Sequence, residues 1–408
     1  MADSKPAVLD VAGSSLVVGS QTRVRANVKL IGLLALGHLV IDVNQGTLSA
    51  LLPFLKNVHG LSYAQTATIV LVGNLTSSVL QPLFGYLSDQ VARRWLLPFS
   101  ILLSGIGIAL TGLAPSYGAI LALVIVTGLG VAAWHPEGYK TATLIAGDRK
   151  ATAISWFSLG GNVGIALGPP VMTMLVASVG IMGTLGMLGP SLLMAALILA
   201  ALPLMGRAVP VPRTTAAYAR GVNMPGAMAV LILVVMIRSW TTLGFTTFVP
   251  FFYLDVLKQD PRIVGLVLFV FLGSGALGTM FAGPLADRLG VLVFIRWVFL
   301  ATIPFGVLFM LTDGILRFVM LGMFGAILTG SFSVAVVLAQ AYLPRNAGMA
   351  SGLIVGFAFG TGGVAVTLLG VIADHYGVTA ALWIGVLLPL LGFVVARWLP
   401  SPRAADAR

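Results

Sequence analysis

The sequence predicts an all-α membrane protein whose twelve transmembrane helices form two pseudo-symmetric six-helix bundles, and three observations support this prediction. The first is composition: of 408 residues, 58% are hydrophobic and only 9% are charged, and the mean hydropathy is +1.04. A soluble chain of this length needs more charge to cover its surface. The second is the number of apolar stretches long enough to cross a membrane, and the third is an internal repeat.

Twelve stretches meet the requirement of about 20 mostly apolar residues for crossing the hydrocarbon core. In chain order they are 28–55, 62–87, 95–113, 117–139, 150–178, 181–205, 225–254, 262–286, 291–311, 314–340, 347–373 and 377–399. Lys and Arg accumulate in cytoplasmic loops. Of the 23 Lys and Arg residues, eighteen lie in the tails and connections on one side and four lie on the other. Both termini are therefore predicted to be cytoplasmic, in a multi-pass protein of the inner membrane.

The longest connection separates two halves that repeat each other. Gly85-Tyr-Leu-Ser-Asp89 after span two recurs 198 positions later as Gly283-Pro-Leu-Ala-Asp287 after span eight. In transporters with parallel repeats, the substrate binds between the halves near the bilayer midplane. The predicted divisions are a cytoplasmic tail at 1–27, a six-helix bundle at 28–205, a cytoplasmic central loop at 206–224, a second six-helix bundle at 225–399 and a cytoplasmic tail at 400–408.

Composition and missing motifs argue against several classes of function. The net charge of +11 is explained by loop residues that fix membrane orientation, so no nucleic-acid partner is expected. The absence of cysteine excludes disulfides and thiolate metal sites. The sequence has no nucleophile elbow, phosphate loop or zinc helix, so an enzyme is not expected and no cofactor is predicted. The expected partners are a small-molecule substrate, protons and the lipid bilayer, with the monomer as the functional unit.

The segment from Gly85 to Arg94 resembles the signature of the 2–3 loop in the major facilitator superfamily. Gly85, Asp89, Arg93 and Arg94 are among the matching residues, whereas Gln90 and Ala92 depart from the pattern. The resemblance implies the major facilitator fold and a latch between the two halves, with Asp287 as the equivalent in the second half. The alternative is an ordinary charged turn after a span, and the recurrence of the motif favours the latch.

Span five contains Gly164-Ile-Ala-Leu-Gly168-Pro169, which resembles a motif of the exporters in this superfamily. Small residues four positions apart leave a groove for a neighbouring helix, and a proline bends the helix axis. The resemblance implies export. The alternative is plain helix packing, because such patterns are common in membrane helices.

Two further segments resemble the fosmidomycin-resistance protein family of drug exporters. They are Gly37-His38-Leu-Val-Ile-Asp42-Val-Asn44 in span one and Trp134-His135-Pro136-Glu137 in span four, together with the stretch 150–170. The resemblance runs through much of the first half, and the second half shows the general plan of the superfamily. It implies a transporter that exports a drug such as fosmidomycin, which is a phosphonate.

Asp42 is the strongest chemical signal in the sequence. It lies about halfway along span one and one helical turn after His38, so the two side chains share a face. Ionisable residues inside spans are by default functional candidates, because a carboxylate in hydrocarbon must be paired, hydrated or protonated. Asp42, with His38, is therefore predicted to couple transport to protons. The alternative is a purely structural pair.

The predicted substrate contacts are polar residues at the level of Asp42 in the two halves. Arg238 lies inside span seven, at the position equivalent to span one near Asp42. A guanidinium binds phosphonate or carboxylate oxygens at two points, but it could instead pair with Asp42. The other predicted contacts are Asn44, Gln45, His135 and Trp240. The aromatic residues of span seven, from Phe245 to Tyr253, could line the cavity or face lipid.

Glu137 in span four is open to two interpretations. Its distance from the start of the span places it near the cytoplasmic edge, where it would form a hydrated pair with Lys140 at a helix end. Alternatively, it acts as a cytoplasmic gate or a second protonation site. A metal site made of His38, Asp42, His135 and Glu137 is not expected, because nothing in the sequence indicates that the two helices converge.

These observations predict a proton-coupled antiporter that exports a small amphipathic or anionic compound by alternating access. The alternative is a proton-coupled uptake symporter or a facilitator for a small metabolite, because the same fold serves both directions.

Overall fold

The structure is a computed structural model that describes residues 27–90, 94–146, 150–206, 222–358 and 360–402. Regular structure within these ranges is helical throughout, without a strand. The predicted all-α class is therefore confirmed. The predicted tails and most of the central loop lie outside the described residues, and the domain boundaries stay a prediction.

The first half contains seven α-helices that make six crossings. They are α1 (Val28–His59), α2 (Tyr63–Val79), α3 (Gln81–Gln90), α4 (Leu96–Thr111), α5 (Tyr117–Ile145), α6 (Lys150–Val179) and α7 (Leu188–Gly206). Helices α2 and α3 follow each other directly and form one crossing. A 3₁₀ segment, Gly180–Met187, joins α6 to α7.

The second half repeats this order. Its helices are α8 (Pro225–Phe251), α9 (Ile263–Leu289), α10 (Val291–Leu311), α11 (Gly314–Tyr342), α12 (Ala347–Gly352), α13 (Gly362–Tyr376) and α14 (Val378–Ala396). Two π-helical turns, Phe252–Val256 after α8 and Leu353–Ala358 after α12, extend these helices. Helices α12 and α13 form one crossing, so this half also crosses six times.

The lengths of the helices agree with a membrane-spanning arrangement. Nine helical stretches in the described ranges are long and apolar enough to cross a bilayer. One of these, Ala153–Met205, has 53 residues and turns at Gly180, where φ is +68°, so it contains two crossings. The shorter apolar helices Leu96–Thr111 and Gly362–Tyr376 complete the set. The prediction of twelve crossings in two groups of six is confirmed.

Helix ends in the first half are set by local hydrogen bonds. The side chain of Asn27 accepts from the backbone N–H of Leu30 at the start of α1. Ser62 and Gln65 form a reciprocal capping box at the start of α2. Between these helices, Gly60 ends α1 in a left-handed conformation with φ of 63°, which glycine adopts without strain. Gly60, Ser62 and Gln65 therefore determine where the short turn between spans one and two begins and ends.

Helices α1 and α6 approach each other closely along a stripe of glycines. A Cβ atom at Gly168 would lie 2.7 Å from both the Thr47 nitrogen and the Val43 oxygen of α1. A Cβ atom at Gly164 would collide with the Leu39 carbonyl oxygen. The motif predicted in span five therefore has a packing function, and Pro169 lies inside α6 without ending it.

Five aromatic residues near the end of α8 and in the π-helical turn after it lie in the protein interior. All five are at most 4% exposed, and Phe245 stacks on Phe324 with ring centroids 4.2 Å apart. Of the two alternatives for this stripe, the lipid-facing one is therefore wrong, because the rings pack against α9, α10 and α11 of the same half. These residues are Phe245, Phe248, Phe251, Phe252 and Tyr253.

The two halves are joined at the end of the molecule where α1 ends and α2 begins. The Tyr63 hydroxyl donates to Asp255 Oδ2 at 2.6 Å, and Lys56 Nζ lies 3.7 Å from the same oxygen. Asp374 accepts from the backbone N–H groups of Tyr63 at 2.7 Å and Ala64 at 3.0 Å. Asp255 and Asp374 of the second half therefore bind the end of α1 and the start of α2 in the first half.

Candidate functional site

Three ionisable side chains from α1 and α5 converge inside the first half. His38 Nε2 lies 3.3 Å from Asp42 Oδ2 and 3.3 Å from His135 Nε2. His135 Nε2 lies 3.5 Å from Asp42 Oδ1. We call His38, Asp42 and His135 the His–Asp–His cluster. The sequence predicts the His38–Asp42 contact within one helix, and the structure adds His135 from another helix.

Backbone carbonyls determine which ring nitrogens of the cluster carry hydrogen. His38 Nδ1 lies 2.7 Å from the Phe157 oxygen, and His135 Nδ1 lies 2.9 Å from the Val131 oxygen. A carbonyl oxygen can only accept, so each Nδ1 must donate. In a neutral imidazole the other nitrogen, Nε2, then has a lone pair and no hydrogen. Both Nε2 atoms face Asp42 in this state.

The walls of the cluster come from α5 and α6. His38 stacks on Phe157 with ring centroids 4.2 Å apart and meets the edge of Tyr139 at 6.0 Å. A Cβ atom at Gly161 would lie 2.6 Å from both Asp42 Oδ2 and His38 Nε2. Glycine at this position therefore leaves the space in which the carboxylate and imidazole meet. The sequence does not indicate Phe157 or Tyr139 individually, although Phe157 and Gly161 lie in the stretch 150–170 that contributes to the family resemblance.

Access to the cluster is uneven. The side chain of His135 is 19% exposed, compared with 4% for His38 and 8% for Asp42. Beside it, Tyr139 is exposed and Ser158 is half-buried, and their hydroxyl groups lie 3.3 Å apart. His135 is therefore the most exposed member of the cluster.

The geometry would also allow the cluster to hold a metal ion. One ligand atom from each of the three residues lies within 4.8 Å of the others. The argument that the two helices need not converge is thus wrong for His38, Asp42 and His135, because α1 and α5 pack directly against each other. Glu137 is not part of this group. The absence of a metal stays a prediction, and an experiment described below addresses it.

Glu137 is not at a hydrated helix end. It is only 1% exposed, and α5 continues for eight residues beyond it, to Ile145. The predicted span stops at 139 because Lys140 and the polar residues after it interrupt the apolar pattern, but the helix continues through them. The hydrated position at a helix end is therefore wrong, whereas a pair with Lys140 stays a prediction. A gating or second protonation function for Glu137 stays a prediction.

Arg238 is buried in the second half and is held by α11. Its Nε donates to the Leu328 oxygen and its Nη2 to the Thr329 oxygen, both at 3.2 Å. The guanidinium lies over the Phe332 ring, 4.8 Å from the ring centroid. Its Nη1 is buried without a hydrogen-bond partner among the described residues. Asp42 interacts with histidines instead, so an Asp42–Arg238 pair is not formed in this structure.

The remaining predicted substrate contacts lie in different surroundings. Asn44 is fully buried and donates from Nδ2 to the Ser191 hydroxyl at 3.1 Å, which links α1 to α7. Gln45 is half-buried. Trp240 Nε1 donates to the Thr361 hydroxyl at 3.3 Å, within the second half. Asn44 therefore has a structural function here, and substrate contact by these residues stays a prediction.

The predicted latch is described only in part. Gly85 lies in α3, near Pro136 of α5, where a Cβ atom would be 3.8 Å from the proline ring. Asp287 is exposed near the end of α9. Arg94 is half-buried. The Asp89 side chain and Arg93 lie outside the described residues, so the latch stays a prediction.

Comparison with known protein sequences identifies similar transporters. The sequence profile of the Major Facilitator Superfamily matches residues 34–365. The chain is 31% identical to the fosmidomycin resistance protein of Escherichia coli K12, over 97% of this chain and 98% of that protein. It is 32% identical to an uncharacterized MFS-type transporter of Bacillus subtilis 168, over 89% of this chain and 91% of that protein.

Solved structures with a similar fold are also transporters. A bacterial homolog of the human lysosomal transporter Spinster, in an inward-facing and occupied conformation, superposes with a TM-score of 0.78 at 15% identity, covering 91% of this chain and 96% of that one. The inward-open xylose transporter of E. coli gives a TM-score of 0.70 at 15% identity, covering 93% and 97%. At this identity the likeness establishes the fold alone.

Proposed function

Because the chain belongs to the major facilitator superfamily, and is thus a membrane transporter and not an enzyme, we propose that it is a proton-coupled antiporter. It exports a small amphipathic or anionic compound across the inner membrane by alternating access, with both termini in the cytoplasm. The observation that supports this proposal is the buried Asp42 carboxylate between two histidines in the middle of a membrane helix.

Proton coupling follows from the energetics of a carboxylate inside a span. An aspartate at the centre of a membrane helix costs about 2.5–3.5 kcal/mol on insertion scales. The two imidazoles lower this cost when one of them is protonated, because the imidazolium and the carboxylate together have no net charge. Proton binding at Asp42 and His38 thus changes the charge of the buried site. Inward proton flow through such a site drives export when the two halves open alternately.

The proposed substrate class follows from Arg238. Its Nη1 is an unused donor in a buried position, and its planar group is fixed by two carbonyls and an aromatic ring. Guanidinium groups bind carboxylate, phosphate and phosphonate oxygens with directional hydrogen bonds. The relative named for fosmidomycin resistance supports a phosphonate drug as one such anion. Gln45, His135 and Trp240 are proposed to complete the substrate contacts.

Export, as opposed to uptake, is supported by the same relative and by the glycine–proline motif of α6. The motif supports export only by resemblance, since Gly164 and Gly168 already have a packing function. A latch formed by Gly85, Asp89, Arg93, Arg94 and Asp287 is proposed to close the cytoplasmic side. The functional unit is proposed to be the monomer.

The test is transport of labelled fosmidomycin in liposomes that contain the purified protein and an imposed pH gradient. The expected result is movement of the drug against its gradient, opposite to the protons. Asp42→Asn is expected to abolish uphill movement and to retain exchange, because the amide cannot ionise. The exposed Asp313 provides the matched control Asp313→Asn, which should behave as wild type.

Three outcomes would contradict the proposal. Drug movement in the same direction as the protons would favour the uptake symporter. Drug movement that ignores the gradient would favour a facilitator. Full gradient-driven transport by Asp42→Asn would remove Asp42 from the coupling mechanism.

A further inference from the structure

The His–Asp–His cluster brings together three side chains whose facing atoms all accept hydrogen bonds. The Nδ1 hydrogens of His38 and His135 are committed to the carbonyls of Phe157 and Val131. Both Nε2 atoms therefore present lone pairs when the rings are neutral, and they meet the two oxygens of the Asp42 carboxylate. His38 Nε2 lies 3.3 Å from both His135 Nε2 and Asp42 Oδ2, and His135 Nε2 lies 3.5 Å from Asp42 Oδ1. Acceptors that face one another without a hydrogen between them repel, so a cation among them stabilises the cluster.

A single proton satisfies this requirement with the least buried charge. With no proton the cluster has a charge of −1 and three opposed lone pairs. With one proton it contains an imidazolium and a carboxylate, and the net charge is zero. With two protons the cluster has a net charge of +1 in a buried position. Because an isolated buried charge is expensive, the state with one proton is favoured.

The side chains seen in contact with the cluster from α5 and α6 are uncharged. From α5, Tyr139 approaches His38, and its hydroxyl lies 3.3 Å from Ser158 of α6. From α6, Phe157 and Gly161 contact the cluster and neither carries a charge. Glu137 is two residues beyond His135, which at 3.6 residues per turn places it about 200° around α5.

From this geometry we infer that His38, Asp42 and His135 hold one proton in common, and that His135 is the residue through which it enters and leaves. His135 has this function because its side chain is the most exposed of the three. The proton moves between His135 Nε2, His38 Nε2 and the Asp42 carboxylate, and each Nδ1–H stays on its carbonyl. The use of this proton in transport rests on the proposed function, whereas the shared proton itself does not.

Nitrogen NMR of the ¹⁵N-histidine-labelled protein in liposomes tests the shared proton directly. The chain has four histidines, so His59→Gln and His375→Gln assign the two outside the cluster and serve as matched controls. Between about pH 5 and 8 we expect the His38 and His135 Nε2 signals to behave alike, each with part of the shift of a full imidazolium. In Asp42→Asn both rings should become neutral, because the amide N–H can donate to Nε2.

Two NMR outcomes would overturn the inference: separate titrations of the two rings, or two rings that stay neutral throughout this range in the wild type. A third comes from adding Zn²⁺ alone to the metal-free protein. One Zn²⁺ bound per chain at micromolar concentration, and lost in His135→Gln, would show that the cation of the cluster is a metal.

A transport assay then distinguishes a failure of this inference from a failure of the proposed function. His135→Gln is expected to abolish gradient-driven fosmidomycin movement, whereas His59→Gln and His375→Gln should retain it. If the NMR shows the shared proton but wild-type transport ignores the pH gradient, the inference stands and the proposed coupling fails. If transport is proton-coupled and His135→Gln transports as wild type, the entry function of His135 is wrong.

Discussion

At the scale of single residues, the candidate site depends on one glycine as much as on its ionisable groups. Gly161 faces Asp42 and His38 at a distance that admits no side chain. The two rings and the carboxylate must therefore lie where α6 leaves space for them. Because protein interiors are closely packed, an added methyl group at such a position displaces its neighbours.

Gly161→Ala is expected to separate His38 from Asp42 and to reduce stability by about 1–3 kcal/mol, the usual cost of overpacking. The rate of gradient-driven transport should decrease together with the stability. Gly32 of α1 is the matched control, because a Cβ atom there meets nothing within 4 Å. Gly32→Ala should therefore leave both properties unchanged. Denaturation midpoints in detergent and the liposome assay measure these effects, and a fully active Gly161→Ala protein would show that the close contact is not needed.

Arg238 provides a second test at this scale. Arg238→Lys keeps the charge but loses the planar group that donates to both Leu328 and Thr329. Because a lysine cannot reproduce bidentate anion recognition, affinity for an anionic substrate should fall by about 1.5–3 kcal/mol, the contribution of a hydrogen bond to a charged group. Binding of labelled fosmidomycin to the purified protein measures the change, with Arg262→Lys on the exposed surface as the control. Unchanged binding would exclude substrate contact by Arg238.

At the scale of helices, the sequence is informative within each element and much less so between elements. The contact between His38 and Asp42 follows from their spacing of four on α1. The approach of His135 depends on how α5 packs against α1, and this packing is not encoded in either segment alone. Glu137 shows the same limit, because the polar residues after 139 end the apolar pattern although α5 continues to Ile145. Likewise, the carbonyls that hold Arg238 belong to α11, far from it in sequence.

The start of α2 provides a test of how helices from opposite halves hold each other. Asp374 caps two N–H groups of this helix from the second half, a contact that exists only while the halves meet at this end. Removing a cap costs about 0.5–2 kcal/mol. Asp374→Ala should therefore shift the population toward the state that is open at this end, by about two- to thirtyfold. Spin-label distances across this end measure the shift, and an unchanged distance distribution would show that the cap does not bias the equilibrium.

At the scale of the whole molecule, the symmetry of the two halves has consequences for mechanism. Each half crosses six times, and helices α2 and α6 of the first half pack against α13 and α9 of the second. The internal repeat in the sequence predicts the two groups of six crossings, because the motif after span two recurs after span eight, but it does not predict which helices meet between the halves. The sequence does not predict which end of the molecule is closed, since that depends on interactions between the halves such as Tyr63 with Asp255.

Alternating access requires the halves to move relative to each other, and the absence of cysteine makes this motion testable without background cross-links. A Cβ atom at Gly360 would lie 3.3 Å from the Ser78 Cβ, near the separation of about 3.5–4.5 Å found in disulfides. Oxidation of the double variant Ser78→Cys with Gly360→Cys should therefore link the halves and stop transport. Reduction should restore it.

The matched control places a cross-link within one half. A Cβ atom at Gly322 of α11 would lie 3.8 Å from the Ser274 Cβ of α9, so Ser274→Cys with Gly322→Cys joins two helices of the second half that move together. This variant should transport in both redox states, since its disulfide leaves the interface between the halves unconstrained. Equal inhibition by both cross-links would mean that motion inside the second half, in addition to motion between halves, is part of the cycle. If the oxidised protein with Ser78→Cys and Gly360→Cys transports as well as the wild type, α2 does not separate from the second half at this level of the membrane during transport.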